Sequence, residues 1–492
     1  MIDRTLKKFV TEKLPEFIRT KRWFGDLASY DLQFSLYDYA SFQIENNESV
    51  YLIIVNAKAS TKDLYYFIPI IVRDGLVIRE MESSPLSGLF VIAHLAAIKS
   101  LATAGGATIE FHGAFIQKDL LDLKNLKVLP ESTNHNFYFN AEGRHLTCKI
   151  LKRLNHVQGG DCFNYWDRAL HDTTLATLAY NNRTRGEKFR LIEIREFFTG
   201  DSLDVVLRKS IRQIFSSIVT GDEKKVNIAN IVSNAIDESL GALLVKIGDD
   251  LRRYHTLLNS KNNNFANFDF ISSDLEKIKW LSALINKDKQ FDKYHKIIAN
   301  ALSELISFYK YVDKNKEKLI PSATDAHNDL HMSHIIIGED QRVAFIDPQI
   351  FDSDGIRPQS TLVDLVSIKR SIEYFSYSEL QDVVAKMIPP WADKDEIIML
   401  LLNDMDFSSS SKKLQNLILA TSLWMEKVES LISNSYGKEN LRIFEMICYY
   451  SRLLKELEYN YSYNGRGQFK YVDISYLLKN IPTSTQLDSK GE

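Results

Sequence analysis

An α+β chain of at least two domains is the fold class this sequence predicts, on three observations. The first part of the chain carries turn-bounded apolar runs rich in Val, Ile, Tyr and Phe, such as Ser49–Val55 and Leu64–Val72. From Leu203 onward, long stretches place apolar residues at helical spacing. The length, 492 residues, exceeds what one hydrophobic core keeps filling, and 45% hydrophobic content is enough for two or three cores.

Taken in order, Asp3–Arg22 has apolar residues at helical spacing (Leu6, Phe9, Val10, Leu14, Phe17, Ile18). It closes on Lys21-Arg22-Trp23-Phe24-Gly25, where Gly25 suits a helix cap. The two strand-like runs follow, flanked by NNES and ASTKD as turns, and then a helical stretch, Ser87–Ala102, of small and apolar residues. Together they read as an α+β domain ending near Pro130. From Glu131, ESTNHNFYFNAEGRHLTCKILKRL reads as strand, turn at Ala141-Glu142-Gly143, and strand. Arg190–Phe198 is a further strand leading to a hinge at Thr199-Gly200-Asp201. Helical patterns over Leu203–Val219, Val226–Leu258 and Leu275–Val312 make the remainder mainly helical. His255 and Trp424 within it read as structural residues, Lys261–Asn267 as a loop and Ser484–Glu492 as a tail.

Composition narrows the function classes. Against 64 acidic residues stand 61 basic ones, a net charge of −3, which gives no ground for a nucleic-acid or anionic-membrane partner. Cys148, Cys162 and Cys448 are odd in number and form no CxxC pair, so neither a disulfide framework nor a zinc site is expected. The opening MIDRTLKKFVTEKLPEF is charged and amphipathic, and no apolar run approaches the ~20 residues that span a bilayer; a cytoplasmic protein is expected.

The stretch that carries chemistry runs from Ala323 to Asp364. His327, Asp329 and His334 fall in a tight loop, and the apolar runs Ile335–Ile337 and Val343–Ile346 flank a turn at Gly338-Glu339-Asp340. The second run ends on Asp347, so a hairpin sets the two polar clusters side by side. Moving a phosphoryl group needs one carboxylate to orient the attacking hydroxyl and another to hold the metal that bridges nucleotide phosphates. Asp329 suits the first role and Asp347 the second. Aspartates bracketing a hairpin are also ordinary turn formers, and taken alone the pair does not choose between these readings.

His327 to Asp347 resembles the HxDxxxxN…D pattern of the aminoglycoside phosphotransferase-like and eukaryotic-like kinases, with His334 where those carry Asn. With LPEFIRTKRWFG at the N-terminus, YYFIPI in the second strand run and YSRLLKELEY at Tyr450–Tyr459, the chain resembles bacterial maltokinases over nearly its whole length. The resemblance implies a bilobal protein-kinase-like fold: a cap domain over 1–130, a small lobe over 131–200, a mainly helical large lobe over 201–483 and a tail over 484–492. It implies ATP-dependent phosphorylation of the anomeric hydroxyl of maltose, giving maltose 1-phosphate. Another sugar such as glucosamine stays open because Lys455 and Asn460 replace the family's Tyr and Glu. A non-catalytic, pseudokinase-type binding or regulatory protein stays open because of His334, Pro348 and Gln349, the last two standing in the family's Asp-Phe-Glu.

On the same resemblance Lys149 would reach the phosphates, Ser132, Thr133 and Asn134 would cover them, and Glu196 and Phe197 would form the adenine hinge. His334, Asp347 and Gln349 would hold the metal, Mg2+ or, with imidazole among the ligands, Mn2+. His327 and Asp329 with Arg452, Glu456 and Tyr459 would line the sugar site, Asp364 would support the catalytic loop, and Arg370 would lie below it. The family pairs the lysine with a glutamate on the next helix; here Asp161, Asp167 and Asp172 are the nearby acids, and Asp167 is the best placed. The implied partners are a small-molecule sugar and a pathway enzyme such as trehalose synthase or α-glucan maltosyltransferase, with no nucleic acid and no membrane.

Overall fold

Leu6, Val10, Leu14 and Ile18 recur every four residues, the spacing that gathers side chains on one helical face. In the computed structural model all four are fully buried, on α1 (Ile2–Lys8), α2 (Leu14–Arg19) and the π-turn Phe9–Lys13 between them. The structure describes residues 2–19, 21, 32–44, 48–58, 63–73, 76–80, 94, 96–113, 127–129, 135–141, 143–154, 174–221, 227–258, 268–321, 324–348, 360–405, 411–437, 442–462 and 467–481.

The chain divides into two compact units, 1–198 and 199–492. In the first, β1 (Gln33–Gln43), β2 (Glu48–Lys58), β3 (Asp63–Arg73) and β4 (Leu76–Glu80) form antiparallel pairs in sequence, and β10 (Arg153–Leu154) adds to the other side of β3. Along β2, Val50, Leu52 and Ile54 face one apolar cluster, while Tyr51, Ile53 and Val55 face another shared with the N-terminal helices. A sheet buried on both faces explains why β2 and β3 read as continuous apolar runs rather than alternating ones.

A second sheet supplies the other side of the larger cluster. It contains β5 (Ser100–Ala102), β6 (Thr108–Gly113), β7 (Lys127–Val128), β8 (His135–Ala141), β9 (Arg144–Ile150), β11 (Thr174–Asn182) and β12 (Glu187–Glu196). Its order is β5-β6-β11-β12-β9-β8-β7. Strands from both sides of Pro130 therefore share one sheet.

The helix expected over Ser87–Ala102 requires correction at its end. Residues 81–93 and 95 lie outside the described ones, but Ser100–Ala102 is a strand paired with Thr108–Glu110. Lys99 at φ 62° turns the chain out of the helix, and the Thr103–Ala107 turn closes a hairpin. Buried Asp38 fixes that turn by accepting from Gly105 N at 2.7 Å, Thr103 Oγ1 at 2.5 Å and Tyr180 OH at 3.0 Å.

The second unit is helical, as its apolar periodicity predicts. It comprises α3 (Leu203–Thr220), α4 (Ile228–Ala235), α5 (Glu238–Leu258), α6 (Asp269–Ile285), α7 (His295–Leu319), α8 (Leu362–Met387), α9 (Lys394–Leu402), α10 (Lys412–Tyr436), α11 (Arg442–Ser462) and α12 (Gly467–Lys479). Three short strands interrupt the helices: β13 (Asp201–Ser202), β14 (Ile335–Ile337) and β15 (Val343–Phe345), in that order across a small antiparallel sheet. Trp424 is fully buried on α10, its indole N–H donating to Ser210 Oγ of α3 at 3.0 Å, so it is core and offers no stacking face. Among the described residues no single helix is long and apolar enough to cross a membrane.

Helices α5 and α10 approach closely at Gly248. A β-carbon there would run into the Ile432 carbonyl and the Ser435 hydroxyl, so the backbones must separate to admit it. Gly248→Ala is expected to cost about 1–3 kcal/mol of stability by overpacking, read as a lowered midpoint in urea with an unchanged slope.

Candidate active site

Residues 324–348 join α7 to the hairpin β14–β15 and hold His327, Asp329, His334 and Asp347. The loop backbone is irregular, with Asn328 at φ 66°, and its amides need partners outside regular structure. Asp364, in the first turn of α8, supplies them: its carboxylate accepts from His327 N at 2.7 Å and from Asn328 N at 2.8 Å. Asp364 is fully buried, and it also accepts from His255 Nε2 at 2.8 Å. On its other side, His255 Nδ1 lies 2.9 Å from the Tyr436 hydroxyl.

The same donor logic sets the other imidazoles. A carbonyl only accepts, so His327 Nε2 donates to Ile346 O at 2.8 Å and pins the loop to the end of β15. Burial, foremost, pushes the His327 imidazole down to about 4 and keeps it neutral. His334 Nδ1 likewise donates to Asp329 O at 2.9 Å, which turns Nε2 toward Asp347, 4.0 Å from its Oδ2. Asp347 follows directly on the hairpin and adopts φ 59°, a left-handed conformation tolerated by Asp better than by bulky residues.

Asp329 is placed by a cation from far along the chain. Arg452 on α11 donates from Nη1 to Asp329 Oδ1 at 3.0 Å and from Nε to Glu456 Oε1 at 2.8 Å. Burial works against the Asp329 charge, but Arg452, with Lys455 beyond it, holds the carboxyl well below the usual carboxylate range. Glu456 in turn accepts from Arg370 Nε at 2.8 Å. Arg370 is fully buried, donates from Nη2 to Asp473 Oδ1 at 2.8 Å and pairs with Glu373 through Nη1. Burial pushes the Asp473 carboxyl up to about 7 against the pull of Arg370. Alternating charges thus run from Asp473 through Arg370, Glu456 and Arg452 to Asp329.

The site residues expected from sequence divide accordingly. His327, Asp329, His334, Asp347 and Asp364 come together around one loop, and Arg452 joins them. Arg370 is linked to the loop through Glu456 and Arg452. Both oxygens of Glu456 accept from arginines, so it balances two cations. Tyr459 is partly buried on α11. Gln349, Ser132, Thr133, Asn134 and the three candidate acids Asp161, Asp167 and Asp172 lie outside the described residues, as do Arg22-Trp23-Phe24-Gly25.

Within the first unit, Lys149 sits on β9 directly opposite Glu193 of β12, and cross-strand partners share a face. Glu193 is a buried carboxylate that sequence reading missed. It accepts from Arg190 Nη1 at 2.8 Å and from Arg195 Nη2 at 2.5 Å. Burial opposes its charge; Arg195, Arg190 and then Lys149 hold it down to about 2. Phe197 continues past β12, its N–H donating to His145 O at 2.7 Å and its ring packing edge-on to Tyr138 at 4.9 Å, while Glu196 is exposed.

No protein-family model matches the sequence, and no curated protein matches it either. Among solved structures, a glucosamine kinase in complex with glucosamine, ADP and inorganic phosphate is similar at 12% identity and TM-score 0.48, covering 96% of this chain and 100% of its own. An aminoglycoside phosphotransferase from Streptomyces rimosus is similar at 14% identity and TM-score 0.33, covering 68% of this chain and 93% of its own. A Plasmodium vivax ethanolamine kinase is similar at 14% identity and TM-score 0.26, covering 67% of this chain and 81% of its own. None of these scores reaches 0.5, and what the site does is argued below from its side chains.

Glu193→Gln leaves Arg190 and Arg195 beside a neutral amide, and is expected to cost about 3–5 kcal/mol in chemical denaturation. Because this carboxyl is held low, its pairs stabilise the fold fully above the ordinary carboxylate value of 4.5, and that share is lost as pH falls through about 2. Acid unfolding of the Gln variant should therefore be shallower than that of the parent across this window.

Proposed function

We propose that the chain is an ATP-dependent kinase of a small hydroxyl-bearing molecule, with a sugar as acceptor and maltose as the leading candidate. The observation that carries the reading is the placement of Asp329 and Asp347 about one loop, with His334 donating to the Asp329 backbone and facing the Asp347 carboxylate 4.0 Å away. Asp329, kept ionised by Arg452, suits accepting a hydrogen bond from the acceptor hydroxyl and aiming its oxygen at the terminal phosphorus. As the hydroxyl oxygen bonds to phosphorus and the bond to the nucleotide's bridging oxygen breaks, the hydroxyl proton passes to Asp329. A carboxyl held this low is a weak base, so that transfer belongs late in the reaction, when the hydroxyl has become acidic.

His334 Nε2 and Asp347 Oδ2, facing one another 4.0 Å apart, would hold a divalent cation. The cation, Mg2+ or Mn2+, would neutralise charge on the nucleotide phosphates. Lys149 is assigned to the phosphates as a point charge, Ser132, Thr133 and Asn134 to the loop covering them, Glu196 and Phe197 to the adenine, and Gln349 to the metal. His327, Arg452 and Tyr459 are assigned to the sugar side, with Glu456 acting through Arg452. A trehalose synthase or α-glucan maltosyltransferase is the class of enzyme that would supply or use such a sugar. The domain limits 1–130, 131–200 and 201–483, and a cytoplasmic location, belong to the same reading.

ADP release measured with ATP across maltose, glucose, glucosamine and trehalose tests it. Maltose-dependent release, falling about a thousand-fold in Asp329→Asn, is the expected outcome. Release with glucosamine alone would replace the acceptor and keep the kinase. Nucleotide binding with no release for any sugar would overturn the enzyme reading in favour of a binding or regulatory protein.

A further inference from the structure

His331 has no part in the roles assigned above, yet it stands against His334. The turn Met332–His334 is a 3₁₀ turn entered from His331, and three residues per turn bring positions three apart onto one side. The His331 and His334 rings accordingly lie against each other, with centroids 3.6 Å apart and planes tilted by 32°. One ring nitrogen of each and a carboxylate oxygen of Asp329 all lie within 4.8 Å of one another.

The tautomer of His334 is set by geometry: Nδ1–H is spent on the Asp329 carbonyl, so Nε2 offers its lone pair. A backbone carbonyl on the far nitrogen is the arrangement that orients an imidazole for a metal. Asp347 adds a second carboxylate 4.0 Å from His334 Nε2. Arg452 occupies one oxygen of Asp329, and its charge is shared with Glu456.

We propose that Asp329, His331 and His334 form a chelating site for a transition-class divalent cation, Co2+, Zn2+ or Mn2+, which this loop binds without nucleotide. Two imidazoles and a carboxylate match the ligand preference of those ions, whereas Mg2+ demands oxygen and parts reluctantly with water. The inference rests on the loop geometry and not on the kinase reading. An ion seated there takes up the Asp329 carboxylate that the phosphotransfer reading reserves for a hydroxyl, so occupation of this site and turnover exclude each other.

The test uses the full chain freed of metal by chelation, with no ATP and no sugar present. Titration with Co2+, followed by its visible absorption, and calorimetry with Zn2+, Mn2+ and Mg2+ should show one Co2+ or Zn2+ per chain, bound at least about a hundred-fold more tightly than Mg2+. His331→Asn and His334→Gln should each weaken Co2+ at least about ten-fold and alter its spectrum, while their thermal midpoints without metal stay close to the parent's. Co2+ binding that neither variant changes, or Mg2+ bound as tightly as Co2+, would overturn the site. Sugar-dependent ADP release is measured separately, so either idea can fail while the other stands.

Discussion

The candidate site depends on one buried carboxylate. Asp364 takes two consecutive amides of the loop, at His327 and Asn328. Charge-assisted bonds of this kind are stronger and more directional than neutral ones. Here they hold a left-handed residue immediately before Asp329, so the carboxylate leaves the backbone in a fixed direction. His255 and Tyr436 complete the support from α5 and α10, which ties the loop to the centre of the helical unit.

A second constraint is electrostatic. Asp329 faces Arg452, whose charge is divided with Glu456, which is bound in turn to Arg370 and through it to Asp473 and Glu373. Burying this many charges is expensive unless each has partners, and the ordered alternation supplies them. Asp329 therefore owes its ionisation to Arg452 and Lys455 on α11, against the cost of its burial.

Much of this was legible in the sequence for identifiable reasons. The hairpin showed because two apolar runs flank a Gly-Glu-Asp turn, and the acids at 329 and 347 showed because they stand at its open end. The N-terminal helices showed in a four-residue period that one buried face explains. What escaped depended on register or on distant pairing. Glu193 becomes the neighbour of Lys149 only once β9 and β12 align, and no local pattern gives that alignment. The partners of Arg370 arrive from 86 and 103 residues away. The helix expected to continue through Ala102 yielded to a turn at Ala104-Gly105-Gly106, where buried Asp38 outweighs the helical preference of the residues before it.

The bond between Arg452 and Asp329 spans 123 positions of the chain. A nascent polypeptide emerging from the ribosome displays the acid long before the guanidinium that steadies it has been translated. Until α11 emerges and docks, that carboxylate meets water instead of its cation, and the loop waits on late synthesis for its electrostatic setting. The electrostatic setting of this loop is thus a long-range property, complete only once α11 has packed against it.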